Sequence, residues 1–261
     1  METSYWQKQT STKPLFPEIA WSKPEQRSQA GHLGIVGGNK LGFAGVAEAY
    51  TIALKTGVGT ATVLLPDVLK KTIPTTILDT RFGTTTPSGS LAKDALPMLR
   101  ALAHESGAML LIGDAGRNSE TAVLYEQFLS DYTGMVTLSR DAIDLVKNNA
   151  QLLVDRPNTL LVASFAQVQK LFQAVYYPKM LTFSMQLLQL VEALHKFTIT
   201  YPVTIMTLHK DTLIVAHGGQ VVTQSWESPM AIWRGTVATQ AAAWWLWNQQ
   251  KPLEAITTSI V

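Results

Sequence analysis

Three observations in this sequence predict an α/β fold with a mainly parallel central sheet. Residues 31–66 run strand, glycine turn, helix, glycine turn, strand. Short β-branched or aliphatic runs then alternate with helix-forming segments for most of the chain. Late in the sequence three strand-like runs follow without an intervening helix, the last two separated by Gly218-Gly219-Gln220. Parallel strands joined by helical crossovers, with helices on both faces and a late antiparallel hairpin at the edge, account for all three. No repeat, low-complexity tract or composition break marks a boundary. Residues 31–261 therefore read as one domain, preceded by an extended arm, 1–30, that is polar and carries Pro14, Pro17 and Pro24.

The elements follow in order. His32–Val36 is an apolar strand stopped by Gly37-Gly38-Asn39. Ala44–Thr56 is a helix closed by Gly57-Val58-Gly59, and Thr60–Leu65 is a strand stopped by Pro66. Asp67–Lys71 reads as a short helix and Arg81–Ser90 as a polar loop. Leu91–His104 is an amphipathic helix interrupted by Pro97. Ala108–Ile112, Met135–Ser139 and Thr159–Ala163 are buried strands, each followed by a helix: Ser119–Ser130 with Ser119 as N-cap, Asp141–Asn148, and Phe165–Leu171 with Ser164 as cap. Phe183–Phe197 is a longer helix. Val203–Thr207, Leu213–His217 and Val221–Gln224 are strands, and Thr236–Asn248 and Leu253–Val261 close the chain as helices.

Composition narrows the function. Of 261 residues, 46% are hydrophobic, ample for a core, and only 15% are charged. That charge content lies below the roughly 25% usual in globular domains. The net charge of +2, without a basic cluster, argues against a nucleic-acid partner. There is no cysteine, which excludes disulfides and a thiolate nucleophile and fits a cytoplasmic protein. No apolar signal segment opens the chain, and no stretch approaches the roughly 18 apolar residues of a membrane span. The apolar run Ala241–Trp247, with Trp244, Trp245 and Trp247 close together on one helix, packs either within the protein or against a second subunit, and three tryptophans that cannot share one narrow inward face suggest a homo-oligomer contact.

The start of the first helix is the leading site candidate. Gly42 and Gly45 leave room for a ligand to approach, and first-turn N–H groups attract anions. The same glycines also read as turn and packing residues only. The spacing Gly34, Gly37, Gly38, Gly42 is not the dinucleotide fingerprint, and no phosphate-loop motif is present. The histidines show no metal spacing with each other or with carboxylates.

Gly37-Gly38-Asn39, Phe43-Ala44-Gly45-Val46 and Lys55-Thr56-Gly57-Val58-Gly59 together resemble the opening of the ADP/ATP-dependent NAD(P)H-hydrate dehydratases. That resemblance implies a ribokinase-like fold and a carbon–oxygen lyase, with ADP or ATP, accompanied by Mg, as cofactor. The implied substrates are hydrated NADH and NADPH (NADHX, NADPHX). The partner is then a small-molecule nucleotide, with no nucleic acid and no membrane. The resemblance places Gly37, Gly38, Asn39, Phe43 and Gly45 at the nucleotide or substrate site. It adds Gly113, Asp114 and Gly116, which stand where the family has Gly-Pro-Gly-Leu-Gly. Asp114 reads either as a ligand-facing acid or as a solvated turn aspartate, and Arg117 could attract a phosphate.

Further along, the sequence departs from the family. Ser139-Arg140-Asp141 keeps the second acid of an Asp-Ala-Asp motif, though an N-cap also explains Asp141. Val162-Ala163-Ser164-Phe165-Ala166-Gln167 replaces every polar group of Thr-Pro-His-x-Gly-Glu, and Lys210 is a partial stand-in for a motif lysine. Where the family has Gly-Gly-Thr-Gly-Asp at a helix start, this chain retains Gly235-Thr236, with Arg234 adding positive charge. The base aspartate falls on Val237 or Ala238. The resemblance thus implies either an impaired dehydratase or a non-catalytic relative kept for nucleotide binding or assembly.

Overall fold

The computed structural model describes residues 4–74 and 76–261. Its strands are β1 (Trp6–Gln9), β2 (His32–Gly37), β3 (Thr60–Pro66), β4 (Thr80–Gly83) and β5 (Ala108–Gly113). They continue with β6 (Met135–Ser139), β7 (Thr159–Ser164), β8 (Thr204–His209), β9 (Thr212–His217) and β10 (Gln220–Ser225). The helices are α1 (Ala44–Thr56), α2 (Leu96–Glu105), α3 (Ser119–Asp131), α4 (Asp141–Val146) and α5 (Gln151–Val154). After them come α6 (Phe165–Ala174), α7 (Leu187–Thr200), α8 (Pro229–Arg234), α9 (Thr236–Trp247) and α10 (Pro252–Thr258). The strands form one ten-stranded sheet in the order β1-β10-β9-β8-β7-β6-β5-β2-β3-β4. β9 runs antiparallel to both of its neighbours, and the other pairings are parallel.

The predicted α/β architecture with helices on both faces is the one observed. α1, α9 and α10 cover one face, with Val46, Tyr50, Val237 and Trp245 in the core there. α2, α3, α4, α6 and α7 cover the other, around Leu99, Phe128, Phe172 and Phe197. No helix among the described residues is long and apolar enough to cross a membrane.

Several local expectations change. The antiparallel strand is not an edge, because β10 and β1 lie outside it. Within the segment expected as an extended arm, Trp6–Gln9 pairs with Val221–Gln224. Gln9 Nε2 donates to Gln224 Oε1 at 2.7 Å and to the Thr257 carbonyl at 2.9 Å. A polar four-residue edge strand lacks the apolar alternation that would have announced it. The same reason hid β4, where Thr80–Gly83 pairs with Val63–Pro66 inside a stretch expected as loop. Pro97 does not interrupt a helix; it sits in the first turn of α2, where its missing N–H has no helical partner to lose. Asn118, not Ser119, caps α3, accepting from the Glu120 and Thr121 amides. Ser164 caps α6 as expected, in a reciprocal pair with Gln167.

Of the α9 tryptophans, Trp245 is buried and Trp244 and Trp247 are half-buried. Trp245 is 2% exposed. Trp247 Nε1 donates to the Ala30 carbonyl at 3.0 Å, and its ring packs edge-on against Trp244 at 5.4 Å. α9 is apolar all round because α1, α10, β5 and β6 surround it. None of these three tryptophans is fully exposed.

Candidate functional site

Strand order reverses at β2 and β5: β2 leads outward to β3 and β4, and β5 leads the other way to β6. In α/β sheets ligands bind at the carboxyl ends of the strands flanking such a point. Gly37 ends β2 here and Gly38 and Asn39 follow it, while Gly113 ends β5 and Asp114 and Gly116 follow. The structure brings these six sequence-predicted residues together with Gly45, in the first turn of α1.

Side chains of the protein itself reach into the crevice. Asp114 has φ 55, a left-handed conformation that aspartate tolerates better than most residues. Its Oδ2 accepts from the Gly45 amide at 2.6 Å, and its Oδ1 accepts from Arg140 Nη2 at 2.5 Å. The Asp114 side chain is 18% exposed and is engaged by both partners within the protein. Its carboxylate takes the helix-terminus position that suits an anion. Asn39 closes the other side: Nδ2 donates to the Asp114 carbonyl at 2.5 Å, and Oδ1 accepts from the Leu41 amide at 2.7 Å.

The glycines divide accordingly. A Cβ on Gly45 would collide with the Arg140 guanidinium and stand 2.8 Å from Asp114 Oδ2. The space that glycine leaves there is lined by these two side chains. A Cβ on Gly42 would meet nothing within 4 Å. Phe43 is half-buried at the N-cap position of α1 and makes no side-chain capping bond.

Asp141 reaches across to the same loop instead of capping its own helix. Its Oδ2 accepts from the Gly116 amide at 3.0 Å, while Oδ1 is buried without a hydrogen-bond partner. Burial pushes the Asp141 carboxyl above the usual carboxylate range; the Gly116 amide opposes this and the Asp114 charge reinforces it. Between the unfolded and folded pKa values the native state holds a proton that the unfolded chain has released. Stability should therefore fall as pH rises through that window and stay lower above it. Asp141→Asn should flatten that slope, read from urea midpoints between about pH 4 and about pH 7. An unchanged slope would remove Asp141 as its source.

Gln167 anchors the Arg140 turn. Its Nε2 donates to the Arg140 carbonyl at 2.8 Å and to Asp144 Oδ2 at 3.0 Å. Residues that depart from the family pattern thus hold the ion pair in place. The sequence reading had assigned no role to Arg140 or Gln167; only the fold reveals the pairing of Arg140 with Asp114, 26 positions apart.

The α9 start lies beside this crevice. Gly235, at φ 91, ends α8 and begins α9, and a Cβ there would stand 2.5 Å from Ile112 Cδ1. Arg234 is exposed, and Lys210 is an exposed residue of the β8–β9 turn with φ 56. Val237 and Ala238 are each 0% exposed and belong to the apolar core under α1, so neither sequence register places an acid here. Glu48 of α1, which sequence reasoning passed over, accepts from the Thr236 hydroxyl at 3.3 Å.

An internal carboxylate already holds the α1 amide, and a second carboxylate stands at the first residue of α9. Among the described residues no group of three His, Asp or Glu side chains could hold a metal ion.

Comparison with protein-family models gives no match. Comparison with curated proteins gives none either. Solved structures match the fold. A ribokinase-like superfamily protein from Enterococcus faecalis superposes with a TM-score of 0.75 at 13% identity, over 100% of this chain and 87% of that one. The ADP/ATP-dependent NAD(P)H-hydrate dehydratase from Bacillus subtilis, co-crystallized with ATP/Mg2+, gives 0.59 at 11% identity, over 95% and 86%. A phosphomethylpyrimidine kinase from Clostridium difficile gives 0.54 at 11% identity, over 87% and 96%. The chain has a ribokinase-like fold.

Proposed function

We propose that this protein is a non-catalytic relative of the ribokinase-like kinases and NAD(P)H-hydrate dehydratases, serving in binding or assembly. The observation that carries the reading is the pair Val237 and Ala238, both 0% exposed in the first turn of α9. An aliphatic side chain cannot accept a proton, and removing a positioned base costs about 10²–10⁴-fold in rate. The Asp114 carboxylate at Gly45 adds a second obstacle, because it would repel a phosphate from the α1 terminus.

One observation favours a second reading, an impaired dehydratase acting on NADHX or NADPHX with ADP or ATP. Glu48 brings a carboxylate to Thr236 at the start of α9 and could serve as the base there.

The return of absorbance at 340 nm from hydrated NADH, with ADP or ATP and Mg2+, separates the two. The first reading expects no return above the reaction without protein. Turnover that Glu48→Gln abolishes would establish the second reading, and turnover that survives Glu48→Gln would overturn both.

A further inference from the structure

His32, Thr62 and Asp79 meet at the end of the sheet opposite the crevice. His32 opens β2, Thr62 stands in β3, and Asp79 comes just before β4. His32 Nδ1 lies 3.0 Å from the Glu105 carbonyl oxygen, and Nε2 lies 2.8 Å from Thr62 Oγ1. Thr62 Oγ1 in turn donates to Asp79 Oδ2 at 2.5 Å. Thr62 is 1% exposed, and these two side chains are the partners of its hydroxyl.

Counting hydrogens fixes what each group holds. A carbonyl oxygen brings none, so Nδ1 must carry one. Thr62 has a single hydroxyl hydrogen, and Asp79 takes it. Nε2 then faces the lone pairs of the Thr62 oxygen and must bring a hydrogen of its own. Both ring nitrogens are protonated in that arrangement, and the imidazole is a cation. The opposite direction would need a proton on the exposed Asp79 carboxyl, where water favours the charged form.

The place suits a cation. Glu105 is the last residue of α2, so its carbonyl is one that the helix leaves without a partner, at the end where the helix dipole favours positive charge. The other charged groups that bear on this corner are Arg81 of β4 and His104 and Glu105 of α2. Arg81 holds the Glu105 carboxyl below the usual range; burial opposes this, and the His32 and His104 charges add to it. Arg81 Nη1 donates to Glu105 Oε1 at 3.0 Å, which leaves Asp79 to Thr62.

We propose that His32 is a proton-dependent clamp: with both ring nitrogens protonated, it joins the end of α2 to the edge strand β4 through Thr62 and Asp79. When a proton leaves Nε2 for water, the bare nitrogen takes the Thr62 hydrogen and Asp79 loses its donor. No covalent bond changes except that one N–H. β4 runs from this clamp to the loop whose Gly89 carbonyl accepts from the Lys40 amide at 2.8 Å, so the clamp holds the strand that delivers that loop to the crevice.

Nitrogen-15 NMR of the imidazoles and urea midpoints test it. At about pH 7.5, roughly a unit above the ordinary imidazole value, both His32 nitrogens should read as protonated. In Asp79→Asn the new amide can donate to Thr62, which then gives its hydrogen to Nε2, so Nε2 should read as bare at the same pH. The native wild type binds a proton there that the unfolded chain releases, so stability is greatest on the acid side and is lost as pH rises. Between about pH 6 and about pH 9 the folded-to-unfolded ratio of the wild type should fall about fivefold more than that of Asp79→Asn, the worth of one net hydrogen bond. A bare Nε2 in the wild type, protonation unchanged by Asp79→Asn, or equal pH slopes in the two proteins would overturn the proposal.

Discussion

Gly37→Ala should destabilise the protein by about 3 kcal/mol, the upper range for forced overpacking, while Gly42→Ala should be neutral or stabilising by about 0.5 kcal/mol. The two residues bracket the loop from β2 to α1, Gly37 closing the strand and Gly42 standing before the helix. A Cβ on Gly37 would run into the Gly113 carbonyl oxygen, and Val46 Cγ2 would lie 3.0 Å away. The oxygen belongs to the backbone of the neighbouring strand and accepts from the Gly38 amide at 3.0 Å, so it cannot step aside without breaking that bond. The register of β2 against β5 already shifts between Val36 and Gly37 to bring the two glycines opposite each other. A Cβ on Gly42 meets open space, and the backbone there is not left-handed. Urea midpoints of the two variants check the contrast. Equal midpoints would mean that the tight approach of β2 and β5 is not what requires glycine at Gly37.

That contrast marks how far the sequence could be read. Repeated apolar runs of strand length and glycine stops specify β2, β3 and β5–β10, since burial on both faces leaves a strong hydrophobic signal. Trp6–Gln9 and Thr80–Gly83 carried no such signal, because edge strands are held by backbone pairing and need not be apolar. At the site, the positions of Gly37, Gly113, Asp114 and Gly235 were legible, but not what fills the space between them. Asp114 meets Gly45 from 69 positions away, and Glu48 meets Thr236 from 188 away. Neither pairing follows any local periodicity; both come from strand order. A glycine at a helix start reads the same in sequence whether a ligand, a neighbouring strand or an internal carboxylate uses the room.

The Asp114 carboxylate supplies the second large effect. Asp114→Ala should cost about 2–3 kcal/mol, combining a lost charge-assisted bond with an alanine forced into left-handed backbone. Asp114→Asn should cost less, because asparagine tolerates that backbone and keeps an acceptor for the Gly45 amide. The informative result lies in the response to anions. With the carboxylate gone, the Gly45 amide at the α1 terminus and the Arg140 guanidinium face a space that no longer carries negative charge. An oriented amide, a helix dipole and an arginine together make an anion site. Inorganic phosphate at about 100 times its dissociation constant should then raise the stability of Asp114→Ala by about 2.7 kcal/mol. In the wild type the same concentration should act only through other sites, because the internal carboxylate holds this one. Arg140→Ala added to Asp114→Ala should abolish the gain, which ties the response to this site. A phosphate response that is the same in wild type and Asp114→Ala would show that the α1 terminus is no anion site in this protein. It would also show that Asp114 is held there by the fold of its own loop rather than by the charge it answers.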